Sequence, residues 1–198
     1  MESLNQTLFL WLNAPEHPGA LTLMVAIPLA EWFIWTVPLL IGIGWLRGSE
    51  NTRKTILVAT ASGLLGLLIN QVIGLAWSHP RPFMIGLGHT LIPHVADSSF
   101  PSDHLTLWWA VAFSLMLQRG PRIAGIGLAM LGIPIAWARI YLGVHFPIDM
   151  FGAAAVAAIS SWLTLREVRW YLEPSYRLAS GIHHRIFERL IALGWVRE

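Results

Sequence analysis

Residues 123–165 read IAGIGLAMLGIPIAWARIYLGVHFPIDMFGAAAVAAISSWLTL, and Arg139, His145 and Asp149 are the only charged or imidazole side chains in them. An apolar run of about 20 helical residues crosses roughly 30 Å of hydrocarbon, so the segment predicts two spans joined by a tight turn. Charge placed at the edge of such runs is costly and calls for a functional explanation.

Working outward, apolar runs at 20–46, 55–77 and 104–118 precede the spans at 123–143 and 147–165. The expectation is an all-α integral membrane helical bundle of about five transmembrane helices. Leu4 to Leu12 reads as an interfacial N-terminal helix, and Pro174 to Val196 as an amphipathic, basic C-terminal helix. Residues 1–198 are expected to form one membrane-embedded domain, with 1–19 as the interfacial segment and 174–198 as a cytoplasmic tail. The composition agrees: 55% of residues are hydrophobic and 12% charged, too apolar for a soluble domain of this size. A net charge of +2 with scattered basic residues argues against nucleic acid as a partner, and zero cysteines remove disulfide, thiolate-metal and thiol-nucleophile chemistry. Residues 1–19 hold no Lys or Arg, so no cleavable signal peptide is expected.

Of thirteen basic residues, all but Arg81 and Arg139 fall on one side of these spans. Short cytoplasmic loops collect Lys and Arg, which puts the C-terminus in the cytoplasm and these two arginines on the outer face. The same parity brings Arg81, Ser102, His104, Arg139, His145 and Asp149 to one membrane surface. Singly, each has a bland reading: a membrane-edge Arg is usually an interface anchor, and an Asp at a helix start complements the dipole. Together they suit an anion with several oxygens. Two permanently charged guanidiniums, Arg81 and Arg139, match phosphate, and Ser102 is placed to cap the third span. Pro147 is suited to the first helical position, which sets Asp149 in the first turn, able to hold one imidazole nitrogen of His145 and leave the other free to attack. His104 is then the acid and later the base.

These residues resemble the three signature motifs of the type 2 phosphatidic acid phosphatase superfamily, which stand here as Gly74 to Pro82 (GLAWSHPRP), Pro101 to His104 (PSDH) and Ala138 to Asp149 (ARIYLGVHFPID). HPRPFMIGLGH and DSSFPSDH are closer still to undecaprenyl-diphosphate phosphatases of the BcrC type. The resemblance implies a helical bundle without a catalytic metal or other cofactor. It implies a phosphohistidine on His145, with His104 as acid then base. It also implies dephosphorylation of undecaprenyl diphosphate at the periplasmic face of the bacterial inner membrane, recycling the carrier for peptidoglycan synthesis and conferring bacitracin resistance. The partner is therefore a polyprenyl diphosphate lipid. Three positions depart from the motifs. Gly74 replaces Lys, with His79 or a substrate-bound cation as compensation; Ala138 replaces Ser; and Asp103 adds a carboxylate, expected to turn away or to pair with Arg81 or Arg139. Glu31, within the first span, should face the bundle or a partner rather than lipid. His89, His94 and Asp97 lack tight metal-ligand spacing and read as ordinary loop polarity. Rival readings are phosphatases of phosphatidylglycerol phosphate or lipid A, a lipid phosphotransferase, and an anion transporter.

Overall fold

The longest helix begins where Ser49 accepts a hydrogen bond from the Thr52 amide (3.4 Å) and Glu50 opens the first turn. In the computed structural model, which describes residues 2–197, this is α4, Glu50–Ala76. Met1 and Glu198, the outermost residues of the expected 1–198 domain, lie outside the described residues. The other helices are α1 (Glu2–Leu12), α2 (Ala20–Ile27), α3 (Thr36–Arg47), α5 (Asp103–Leu117), α6 (Arg122–Tyr141), α7 (Pro147–Arg166) and α8 (Val168–Ala192). The chain is an all-helical membrane bundle. Among the described residues, four helical stretches, Ala20–Arg47, α4, α6 and α7, are long and apolar enough to cross a bilayer. The expected third span, α5, has 15 residues, or about 22 Å of helix. It forms the bundle's axis, packed against α4, α6 and α7, and so has little contact with lipid.

Burial follows from this arrangement. Leu105, Trp108, Trp109, Val111 and Ala112 of α5 are buried on several sides of the helix. The indoles of Trp108 and Trp109 donate to the carbonyls of Leu128 (2.7 Å) and Ala129 (3.1 Å) on α6. Gly125 lies so close to α5 that an added Cβ would stand 2.3 Å from the Met116 backbone nitrogen. Leu64, Leu68, Val72 and Leu75 of α4 are exposed at helical spacing, the stripe expected of a face turned to hydrocarbon. Two interior polar contacts join helices: Ser62 meets Thr164 (2.6 Å), and Ser161 donates to the Ala110 carbonyl (2.9 Å).

Two features were not legible in the sequence. The first span is not one regular helix: a π-turn at Pro28–Trp32, closed by the Phe33 amide on the Pro28 carbonyl, and a 3-10 turn at Phe33–Trp35 separate α2 from α3. The C-terminal helix also starts at Val168 rather than at Pro174, which lies inside it. The Tyr171 hydroxyl on the Thr164 carbonyl (3.0 Å) and the Lys54–Glu173 ion pair (3.0 Å) tie this first stretch to α7 and α4. Farther along, buried Arg53 donates to the carbonyls of Trp45 (2.9 Å) and Arg197 (2.6 Å) and meets His183 (3.2 Å). That knot clasps the C-terminal segment to the start of α4.

Candidate active site

The site is built from chain ends at one face of the bundle. Gly143, with φ +82°, closes α6; an added Cβ would lie 2.1 Å from the His89 carbonyl oxygen, so the turn admits only glycine. This turn places His145 just before α7. Pro147 begins α7, and the Asp149 carboxylate reaches back over the helix start to accept from the Phe146 amide (2.8 Å). The same oxygen, Oδ2, meets His145 Nδ1 at 3.0 Å. The imidazole therefore carries its proton on Nδ1 and its lone pair on Nε2, which receives Arg81 Nη1 at 3.1 Å. His145 is 1% exposed, and burial, reinforced by Arg139 and Arg81, pushes it well below the usual histidine range. The ring is therefore neutral near pH 7.

Arg81 leads a 3-10 turn, Pro82–Ile85, after α4, and is fixed by the Val144 carbonyl (2.9 Å) and Asp97 (2.8 Å). Arg139, 1% exposed in the last turn of α6, donates to the Ala30 carbonyl (3.0 Å) and to His94 (2.9 Å), while its Nε has no partner. Ser102 stands at the N-cap of α5, but its hydroxyl does not cap the helix as expected; it is fully buried and also unpartnered. His104 lines a groove of about 440 Å³ with Glu31, Asp103, Trp35, Leu67 and Leu107. The structure thus brings the expected residues to one end of the bundle.

Several expectations are corrected. Of the two alternatives for Asp103, the structure shows the first: it pairs with neither arginine and accepts from Asn70 (2.8 Å). Asp97 takes Arg81 instead. His79 does not join the guanidiniums in place of the motif Lys: its Nε2 lies 3.5 Å from Glu2, and its ring packs edge-on against Phe146. Gly74 borders a small cavity of about 120 Å³ with Asn70, Asp97 and Asp103. Ala138 packs with Ala26 and Ala30 in an apolar cluster. His89 uses its backbone, not its ring, to bind Asn13. Sequence reasoning missed Ser99, whose hydroxyl donates to Asp149, and the seating of His94 on Arg139. The only signal for either was polarity within a loop.

A bundle presenting an oriented imidazole beside two guanidiniums defines a phosphoryl-transfer membrane enzyme. Residues 54–172 match the PAP2 superfamily, and the chain belongs to it: it is a membrane-embedded lipid phosphatase. Among curated relatives, it is 33% identical to undecaprenyl-diphosphatase BcrC of Bacillus subtilis, over 94% of this chain and 95% of that protein. It is 32% identical to the putative undecaprenyl-diphosphatase YbjG of Escherichia coli, over 100% of both. Its fold matches the crystal structure of Aquifex aeolicus LpxE with a TM-score of 0.66 and 25% identity, over 82% of this chain and 95% of that one.

Proposed function

We propose that this protein hydrolyses undecaprenyl diphosphate to undecaprenyl phosphate through a phosphohistidine on His145. The observation that carries the reading is the pair of unpartnered, buried donors, Arg139 Nε and Ser102 Oγ, at the same end of the bundle as the lone pair of His145. A buried donor without an acceptor is costly, and phosphate oxygens are the acceptors that two guanidiniums and a hydroxyl would share. The names of the relatives supply the lipid diphosphate.

In the proposed reaction, Arg81, Arg139 and Ser102 hold the terminal phosphoryl group. His145 Nε2 forms a bond to phosphorus as the bond from phosphorus to the bridging oxygen breaks, and His104 gives that oxygen its proton. Asp149 stabilises the positive charge on the imidazole. Water then attacks phosphorus, His104 takes up its proton, the P–N bond breaks, and inorganic phosphate leaves. Positioning and charge stabilisation supply most of the rate. The one-sided distribution of basic residues supports a periplasmic site in the bacterial inner membrane and a cytoplasmic C-terminus. Residues 1–198 act as one domain, recycling the carrier for peptidoglycan synthesis and protecting against bacitracin.

The test is phosphate release from undecaprenyl diphosphate in detergent, with phosphatidylglycerol phosphate and lipid A as competitors. His145→Ala is expected to fold and to release no phosphate, and terminally labelled substrate should leave acid-labile label on the wild-type chain. Wild-type turnover by His145→Ala would refute the assignment.

A further inference from the structure

Asp149 Oδ2 collects three donors: His145 Nδ1 at 3.0 Å, the Phe146 amide at 2.8 Å, and the Ser99 hydroxyl. The first two come from the same turn as Asp149 itself. They would follow the carboxylate wherever the start of α7 moved. The helix start is itself anchored, by the Ser102 amide on the Asp149 carbonyl (3.4 Å) and the Ile148 amide on Asn5 (3.1 Å), but among the described residues Ser99 alone ties the carboxylate group to another part of the chain. This serine is fully buried, its amide donates to the His79 carbonyl (2.7 Å), and its Oγ also lies 3.4 Å from His145 Nδ1. The preceding residue, Ser98, offers its carbonyl to Arg81 Nη2 (3.4 Å), and Ser102 follows in the same loop. The loop that bears Ser99 is therefore the one that holds Arg81 and delivers Ser102.

We propose that Ser99 is a positioning residue for the reaction: its hydroxyl locks the Asp149 carboxylate and, through it, aims His145 Nε2 at the phosphoryl group held by Arg81, Arg139 and Ser102. This rests on the reading of His145 as the nucleophile. Ser99 makes no bond to substrate. Groups that orient a reactive imidazole through its carboxylate are commonly worth 10- to 100-fold when removed from comparable shells around metal-bound histidines, and a similar loss is expected here.

The test uses the full-length protein in detergent with undecaprenyl diphosphate. Ser99→Ala is expected to lower kcat about 10- to 100-fold and leave KM within about twofold, because phosphate contacts are intact and only the aim of the nucleophile is lost. Ser99→Thr, which keeps the hydroxyl, should recover most of the rate. In an Asp149→Ala background, which has no acceptor for it, Ser99→Ala should cost less than about threefold more, because the two residues act as one unit. If Ser99→Ala does not elute as a monodisperse protein, Ser99→Cys replaces it, with similar bulk and a weak donor, under the same thresholds. A kcat within threefold of wild type, a loss confined to KM, or full additivity with Asp149→Ala would overturn the proposal. His145→Ala, run alongside, separates the two readings: if it is inactive while Ser99→Ala is normal, only the role of Ser99 falls, whereas an active His145→Ala removes the nucleophile itself.

Discussion

Asp149→Asn changes a single atom in the tightest hydrogen-bonded cluster of the site, so its effect can be worked through. Oδ2 accepts from Ser99, Phe146 and His145, whereas Oδ1 is buried without a partner. The amide must place its oxygen at Oδ2, since its NH₂ there would face three donors. Its nitrogen then occupies the buried Oδ1 position, which meets no donor among the described residues. Hydrogen bonds to a charged acceptor contribute about 1.5–3 kcal/mol and those to a neutral one about 0.5–1.5, so three bonds weaken by roughly 1 kcal/mol each. The positive charge that develops on His145 also loses its counter-charge. The bonds from Ser99 and Phe146 weaken before and during the reaction alike and cost stability, whereas the loss at His145 grows as the ring gains charge; we expect the barrier to rise by about 3 kcal/mol, a fall of roughly two orders of magnitude in kcat at 1.36 kcal/mol per decade. KM should change little, because Asp149 does not touch the phosphate. The measurement is initial-rate phosphate release in detergent, with circular dichroism to confirm helix content. A well-folded Asp149→Asn protein within tenfold of wild-type kcat would show that the carboxylate charge is not needed at His145.

Three further outcomes follow from the geometry. Ser102→Ala removes a hydroxyl with no partner among the described residues, so it should leave the melting temperature within about a degree while weakening inhibition by inorganic phosphate or vanadate by roughly tenfold, the worth of one hydrogen bond to a charged group; unchanged inhibition would remove Ser102 from the phosphate contacts. Burial, followed by Arg81 and Arg139, holds His94 below its ordinary value of 6.5. The folded state therefore binds fewer protons than the unfolded chain below about that pH, and stability should decline as pH falls through this region. His94→Gln keeps an acceptor for Arg139 but cannot be protonated, so it should flatten part of the slope of melting temperature between pH 7 and 5; an unaltered slope contradicts this. Arg53→Met strands the carbonyls of Trp45 and Arg197 at the far end of α4 and should cost about 2–4 kcal/mol of stability, read by chemical denaturation, with kcat of the folded fraction unchanged.

Much of this architecture was readable because hydrocarbon imposes simple rules. The ends of α6 and α7 fall close to where the apolar runs around Arg139 and His145 stop, and span parity alone predicts that Arg81, His104 and Asp149 share a face. Side-chain partnerships inside the outer loop were not readable. Nothing in the stretch from His94 to Ser99 indicates that His94 would meet Arg139, Asp97 would hold Arg81 or Ser99 would bind Asp149, since each depends on how a loop without periodicity folds over the helix ends. Asp103 illustrates the same limit: its partner, Asn70, lies on another helix, and no sequence spacing links them. The start of α8 was misplaced because proline commonly opens helices, whereas here contacts from α7 and α4 extend the helix ahead of Pro174.

The π-turn at Pro28–Trp32 makes the first membrane crossing a phased element rather than a mere length of grease. A π-turn accommodates one residue more than regular α-helix, and each helical residue contributes about 100° of rotation and 1.5 Å of rise. Deleting one residue there would straighten the rod yet swing Ala20–Ile27 around its axis relative to Thr36–Arg47. The Ala30 carbonyl would then leave Arg139, and Glu31 would leave the groove beside His104. Chimeras that exchange this crossing between related chains should therefore be matched by residue count through the irregular turn, because equal hydrophobicity will not preserve the angle at which the two halves meet the catalytic end.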